Sequence, residues 1–205
     1  MLEKEINMER IRFSFSTSTK IVFGSGVRNQ LPELMKSFGR HALLFHSKSV
    51  CEIDEIEASL KKEKIQVTKR IIAGEPTDQL INQILLEIQG MQIDAIIGIG
   101  GGSVLDTAKA ISALIPNGGC LMDYLEVVGK GLALPKPAYP CIAMPTTAGT
   151  GTEVTKNAVI KVLSKNLKVS LRDAKMIPQV ALIDPELTVT VPAAVTASTG
   201  MDAFI

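Results

Sequence analysis

Apolar and polar positions along this chain follow two periods in turn. Short aliphatic runs at residues 20–23, 41–45, 66–72, 95–99, 141–144 and 180–184 read as strands, several of them apolar on both faces. Between them the apolar residues fall three and four apart. Val27, Leu31, Leu34, Met35 and Phe38 make one helical face, closed by Gly39. Ile53, Ile56 and Leu60 make a second within residues 52–64, whose charged opposite side reads as a solvated face. Leu80, Ile81, Ile84, Leu85 and Ile88 make a third, with Thr77 as its N-cap and Gly90 as its stop. A fourth runs through Val104, Leu105, Ala108, Ile111, Leu114 and Ile115. Residues 12–16 alternate and are expected to pair with 20–23. Residues 156–163 and 167–171 predict a hairpin turning at 164–166. The proline- and glycine-rich stretch 116–140 predicts a loop with a turn of helix near 124–128, and a last helix should follow Pro192.

Strands alternating with helices predict an α/β, Rossmann-like fold: a mostly parallel sheet flanked by helices, with one β-hairpin. In such a sheet ligands bind at the carboxyl ends of the strands, and two glycine loops follow strands directly. The first, Gly100-Gly101-Gly102, opens the fourth helix. Residues without a Cβ permit unusual dihedrals and close approach of a ligand, and the helix start offers amides and a positive dipole end to a phosphate. Ser103 is expected to cap that helix or donate to a phosphate oxygen. The G-x-G-x-x-G fingerprint is met at Gly98 and Gly100 with Ser103 in place of the third glycine, and by itself is equally a tight corner without a ligand. The second loop, Pro145 to Glu153, offers hydroxyls from Thr146, Thr147, Thr150 and Thr152. Convergence of the two loops on one crevice predicts a nucleotide site.

Composition narrows the classes. A chain of 205 residues holds one full domain and the beginning of a second. Only 4% aromatic residues against 46% hydrophobic predicts aliphatic helix-on-sheet packing. A formal charge of +1 gives no electrostatic case for nucleic acid or an anionic membrane as partner. No apolar run reaches 18 residues, so no membrane span is expected, and residues 1–12 lack the apolar core of a signal peptide. Cys51, Cys120 and Cys141 are widely spaced, which predicts reduced thiols in a cytoplasmic protein rather than a disulfide framework or zinc motif.

Four motifs in order, Gly100-Gly-Gly-Ser-Val-Leu-Asp-Thr-Ala-Lys109, Pro145-Thr-Thr-Ala-Gly-Thr-Gly-Thr-Glu153, Ile183-Asp-Pro-Glu-Leu187 and Thr199-Gly-Met-Asp-Ala203, give the chain its resemblance to the iron-containing (group III) alcohol dehydrogenases. The resemblance implies a nucleotide-binding domain over 1–190 and, at 191–205, the first helix of an all-helical metal domain. It implies that Gly101, Gly102 and Ser103 hold the cofactor pyrophosphate with Asp106 near it. Thr146, Thr147 and Thr150 would lie along the pyrophosphate and nicotinamide, with Thr155 close by, and Lys168 would reach the cofactor ribose. An acid complementing the helix dipole and an exposed hairpin lysine are the plainer readings of Asp106 and Lys168. The implied chemistry is hydride transfer between an alcohol or aldehyde and a nicotinamide, with iron(II) or another divalent metal as Lewis acid.

Two departures follow. The family metal sits on one aspartate and three histidines; Asp202 matches the aspartate, but the first histidine would be residue 206 and the sequence ends at Ile205. The chain by itself is therefore expected to hold no catalytic metal and to be inactive. Its last helix would lack packing partners, and would fray or pair in a homodimer. The acidic residue that many members carry after the second strand, on the adenosine ribose, is here replaced by His46-Ser47-Lys48. A hydroxyl and a cation without a carboxylate point to NADP(H) as well as NAD(H), with Ser47 as the discriminating residue. Glycerol dehydrogenase-like enzymes and dehydroquinate synthase-like lyases share the architecture, though the second loop favours the alcohol dehydrogenases. A free-standing nucleotide-binding module without chemistry is the alternative from another class.

Overall fold

In a computed structural model, which describes residues 17, 18 and 20–204, the aliphatic runs become β1 (Lys20–Phe23), β2 (His41–His46), β3 (Gln66–Ile71), β4 (Ala95–Gly100) and β5 (Cys141–Pro145). β6 (Asn157–Val162) and β7 (Leu167–Arg172) form the expected antiparallel hairpin, and β8 (Val180–Ile183) returns to the sheet. The six-stranded sheet has the order β1-β8-β5-β4-β2-β3, and every neighbouring pair is parallel. β1 was expected to pair with residues 12–16, which lie outside the described residues; it runs parallel to β8, with Lys20 opposite Val180.

Alternate residues of each strand serve two cores. Ala42, Leu44, Ile97 and Ile142 pack against α1 (Leu31–Lys36) and α2 (Ile53–Lys62) on one face. Leu43, Phe45 and Ile96 pack on the other face against α3 (Asp78–Glu87), α4 (Gly102–Asn117) and the hairpin. Full burial of such a side chain contributes about 1.5–3 kcal/mol. The chain thus leaves β2 for one face and its neighbour β4 for the other, which opens a crevice at the carboxyl edge between them.

Local chemistry sets the element ends. Thr77 caps α3 as its sequence predicts, accepting from Leu80 N–H at 3.1 Å. Pro32 has no N–H to donate back, so the first turn of the Val27 helix is 3-10 over Val27–Gln30 and only then becomes α1. Pro116 continues α4 into its last turn instead of ending it; the Ser112 carbonyl it leaves free accepts from Tyr139 N–H at 2.8 Å. The turn of helix expected near 124–128 comes earlier, as α5 (Leu121–Tyr124), because Asp123 accepts from the Cys120 N–H at 3.0 Å and starts it there.

Asp184, just beyond β8, ties the sheet to the turn after β1. Its carboxylate accepts from Gly26 N–H at 3.2 Å, Glu186 N–H at 3.1 Å, Arg28 N–H at 3.2 Å and the Arg28 guanidinium at 2.9 Å. Burial pushes its pKa up, but the Arg28 and backbone donors outweigh that and hold it below the usual carboxylate range. The last element, α6 (Ala193–Phe204), is a formed helix with Val195, Met201 and Phe204 exposed. No helix among the described residues is long and apolar enough to cross a membrane.

Candidate functional site

Two loops leave the carboxyl edge of the sheet side by side. Gly100 at the end of β4 and Pro145 at the end of β5 stand opposite in register, and Thr146 N–H donates to the Gly100 carbonyl at 3.0 Å. Beyond that bond the loops touch. A Cβ on Gly101 would lie 3.5 Å from Thr147 Oγ1, and one on Gly102 would lie 3.2 Å from Thr150 Cγ2.

The glycines are there for close approach. None of Gly98, Gly100, Gly101 and Gly102 is among the positive-φ residues, contrary to the expectation of unusual dihedrals. A Cβ on Gly100 would instead meet Val104 Cγ2 at 2.5 Å, and one on Gly98 would meet Ala108 at 2.9 Å, so α4 rests directly on the end of β4. Gly101 is the N-cap of α4 and no side chain caps the helix; Ser103, expected in that role, is already its second residue. An uncapped helix start over a turn without side chains is a site that suits an anion.

The cleft in front of that start has a volume of about 190 Å³ and brings together Gly102, Ser103, Asp106, Thr150 and Lys168. Glu75, from the turn after β3, lines it too, and its carboxylate accepts from the Lys168 ammonium across the opening. A groove of about 500 Å³ lies at the far ends of α3 and α4, beside Gly90 and Gly118, but no ionisable side chain lines it.

Behind the cleft runs a buried polar network centred on Lys109, a residue to which the sequence reading assigned no role. Lys109 is fully buried; its Nζ donates to the Thr152 carbonyl at 2.8 Å and to Thr155 Oγ1 at 3.1 Å, reaches the Asn157 carbonyl, and lies 3.5 Å from Asp106. Asp106 accepts from Thr152 Oγ1 at 2.8 Å and from Val159 N–H at 3.0 Å. Burial lowers the Lys109 pKa, and the Asp106 carboxylate works against that fall. Asp106 thus lines the cleft with both oxygens already engaged, and the Thr155 hydroxyl is turned to Lys109. Together these groups bolt the second loop and β6 onto α4. The available signal was that Asp106 and Lys109, one turn apart, are the only ionisable residues between 102 and 117.

Ser47 stands at the same edge, after β2. Its N–H donates to the Ile99 carbonyl at 3.1 Å and its hydroxyl lies 2.9 Å from that of Ser49, beside a cavity of about 610 Å³ lined by His46 and Lys48. Asp202 is exposed on α6; the His41 ring is 3.0 Å from Thr68 Oγ1 and the His46 ring 3.0 Å from the Ser47 carbonyl. Among the described residues no three His, Cys, Asp or Glu side chains stand close enough to hold a metal ion, so the donor set present does not fit one.

Comparison with known proteins bears on this geometry. The profile of the family described as iron-containing alcohol dehydrogenase matches residues 18–185. The NAD-dependent methanol dehydrogenase of Bacillus methanolicus is 35% identical over 190 residues, 89% of this chain and 48% of that enzyme. The solved alcohol dehydrogenase from Oenococcus oeni superposes with a TM-score of 0.85 at 30% identity, covering 94% of this chain and 51% of that one. The sulfoacetaldehyde reductase from Bifidobacterium kashiwanohense, solved with NAD+, gives 0.83 at 28% identity over 94% and 51%. The chain spans about half the length of the relatives it matches.

Proposed function

Because the chain belongs to the iron-containing alcohol dehydrogenase family, we propose that it is the NAD(P)(H)-binding part of an enzyme that moves hydride between an alcohol or aldehyde and a nicotinamide ring. The observation that carries this reading is the pair of loops at Gly100 and Pro145, in register on neighbouring strands and in contact with each other. A dinucleotide laid across the β2–β4 crevice meets the start of α4 with its pyrophosphate. There the amides of the turn and the helix dipole favour its negative charge, and Ser103, Thr147 and Thr150 offer hydroxyls. Thr146 fixes the spacing of the two loops through its own amide, and Lys168 supplies a cation from the hairpin. The bound nicotinamide supplies hydride acceptance and donation; the work of these residues is to hold and orient it. Of the residues that would hold the metal implied by the family name, this chain would supply Asp202.

At the adenosine end the reading is that NADP(H) is accepted as well as NAD(H), since the hydroxyls of Ser47 and Ser49 and the ammonium of Lys48 stand beside a cavity that Lys69 and Arg70 also line and whose carboxylate, Asp54, is paired with Lys69 at 3.2 Å. Calorimetric titration of the 205-residue chain with NADPH and then NADH, at fixed salt and without metal, tests both statements. Binding of either cofactor supports the site. Failure of a folded chain to bind both overturns it. Ser47→Asp should shift the affinity ratio toward NADH by about tenfold or more, as expected when a 2′-phosphate is placed against a carboxylate; an unchanged ratio removes Ser47 from the assignment.

A further inference from the structure

The cleft at the start of α4 is spanned by an ion pair that nothing in the fold requires. Glu75 and Lys168 are each about half exposed, 93 residues apart in sequence, and come from the turn after β3 and from β7. The two segments are already fastened without them. Lys161 N–H donates to the Pro76 carbonyl at 2.8 Å, and Leu163 N–H donates to Asp78 at 3.2 Å. The pair therefore adds little to holding the hairpin, but it sits across the cleft that Gly102, Ser103 and Thr150 line. Of the ionisable groups facing this cleft, Asp106 is spent on Thr152 and Val159, which leaves Lys161, Lys168 and Glu75 to meet a ligand.

Resting on the cofactor reading above, we propose that Glu75 sets the affinity of this site by competing with the dinucleotide for Lys168. The carboxylate holds the ammonium; a ligand carrying two phosphates must draw Lys168 away from it and must also approach a like charge. Lys168 in turn holds Glu75 ionised, below its ordinary carboxylate range, so the competing charge is present throughout the neutral pH range. Glu75 is in this sense a brake, one that keeps the cation aimed at the cleft while tempering how tightly the cofactor is held.

The experiment is a double-mutant cycle on the 205-residue chain, reading the Kd for NADH and NADPH by calorimetry, with inorganic pyrophosphate as a third probe. Glu75→Gln should tighten binding of all three about three- to tenfold, the scale of one unfavourable partly exposed charge contact. Lys168→Met should weaken binding, and in its background Glu75→Gln should lose most of its effect, since no ammonium is left to compete for. Both positions are exposed, and matching urea midpoints would confirm that the variants remain folded. If the unaltered chain binds and Glu75→Gln binds equally or more weakly, Glu75 does not compete and the proposal is overturned while the cofactor site stands. If neither the unaltered chain nor the variants bind any probe, the cofactor reading falls and this inference falls with it.

Discussion

At the scale of single residues, the strongest demand on this fold is Lys109. A buried ammonium is tolerable only if its charge is paired and its protons are accepted, and here carbonyl, hydroxyl and carboxylate oxygens do both. Lys109→Met keeps much of the volume but orphans the Thr152 and Asn157 carbonyls and leaves Asp106 without its cation. It should lower stability by about 3–5 kcal/mol in urea unfolding; a loss below about 1 kcal/mol would mean that the network is incidental. The partners explain why this was not legible in the sequence. Apart from Asp106 they lie 43 to 48 residues further along, and only the pairing of α4 with the second loop brings them close. The three cysteines differ in exposure. Cys141 is buried, with burial pushing its thiol up to about 12, whereas Cys51 and Cys120 are exposed. Iodoacetamide at pH 8 should label Cys51 and Cys120 in the native chain and Cys141 only on unfolding, with mass spectrometry of tryptic peptides as the readout.

At the scale of elements, Asp184 shows how a short motif acts as a joint. It accepts bonds from two segments, and an amide in its place would set an N–H₂ against those donors, so Asp184→Asn should destabilise by roughly 2 kcal/mol or more at neutral pH. The pH dependence has a fixed sign. A carboxyl whose pKa is lower folded than unfolded contributes fully above the unfolded value of about 3.9, and that contribution is lost as pH falls through this range toward the folded value. Acid titration of stability below about pH 4 should therefore be shallower in Asp184→Asn than in the unaltered chain. Gly149 makes a second joint: a side chain there would run into the backbone of Thr199, so Gly149→Val should push α6 off the second loop. Faster hydrogen exchange in 193–204 with the sheet unchanged is the expected outcome. Strands, hairpin and the Thr77 cap were legible because each is decided within a few residues, by β-branched runs, alternation or one hydroxyl. The cap of α4 was not, because Ser103 looks like a cap until α4 is seen resting on Gly98 and Gly100, which moves the helix start back to Gly102.

At the scale of the whole molecule, the arrangement makes the two glycine loops one cooperative unit although 45 residues separate Gly100 from Pro145. α4 carries the first loop at its start and grips the second through Lys109 and Asp106 further along, so neither loop can shift without moving the other's support. A dinucleotide that binds only the folded chain should stabilise it by about 2.7 kcal/mol at a hundred times its Kd. Its protection against hydrogen exchange should appear together in 100–105 and 146–152 and extend to β6, which the network joins to the same helix. Lys109→Met should uncouple this response even where the chain remains folded, leaving protection at the first loop and losing it at the second. Protection confined to the first loop in the unaltered chain would show instead that the helix start alone binds the ligand and that the second loop is only its neighbour.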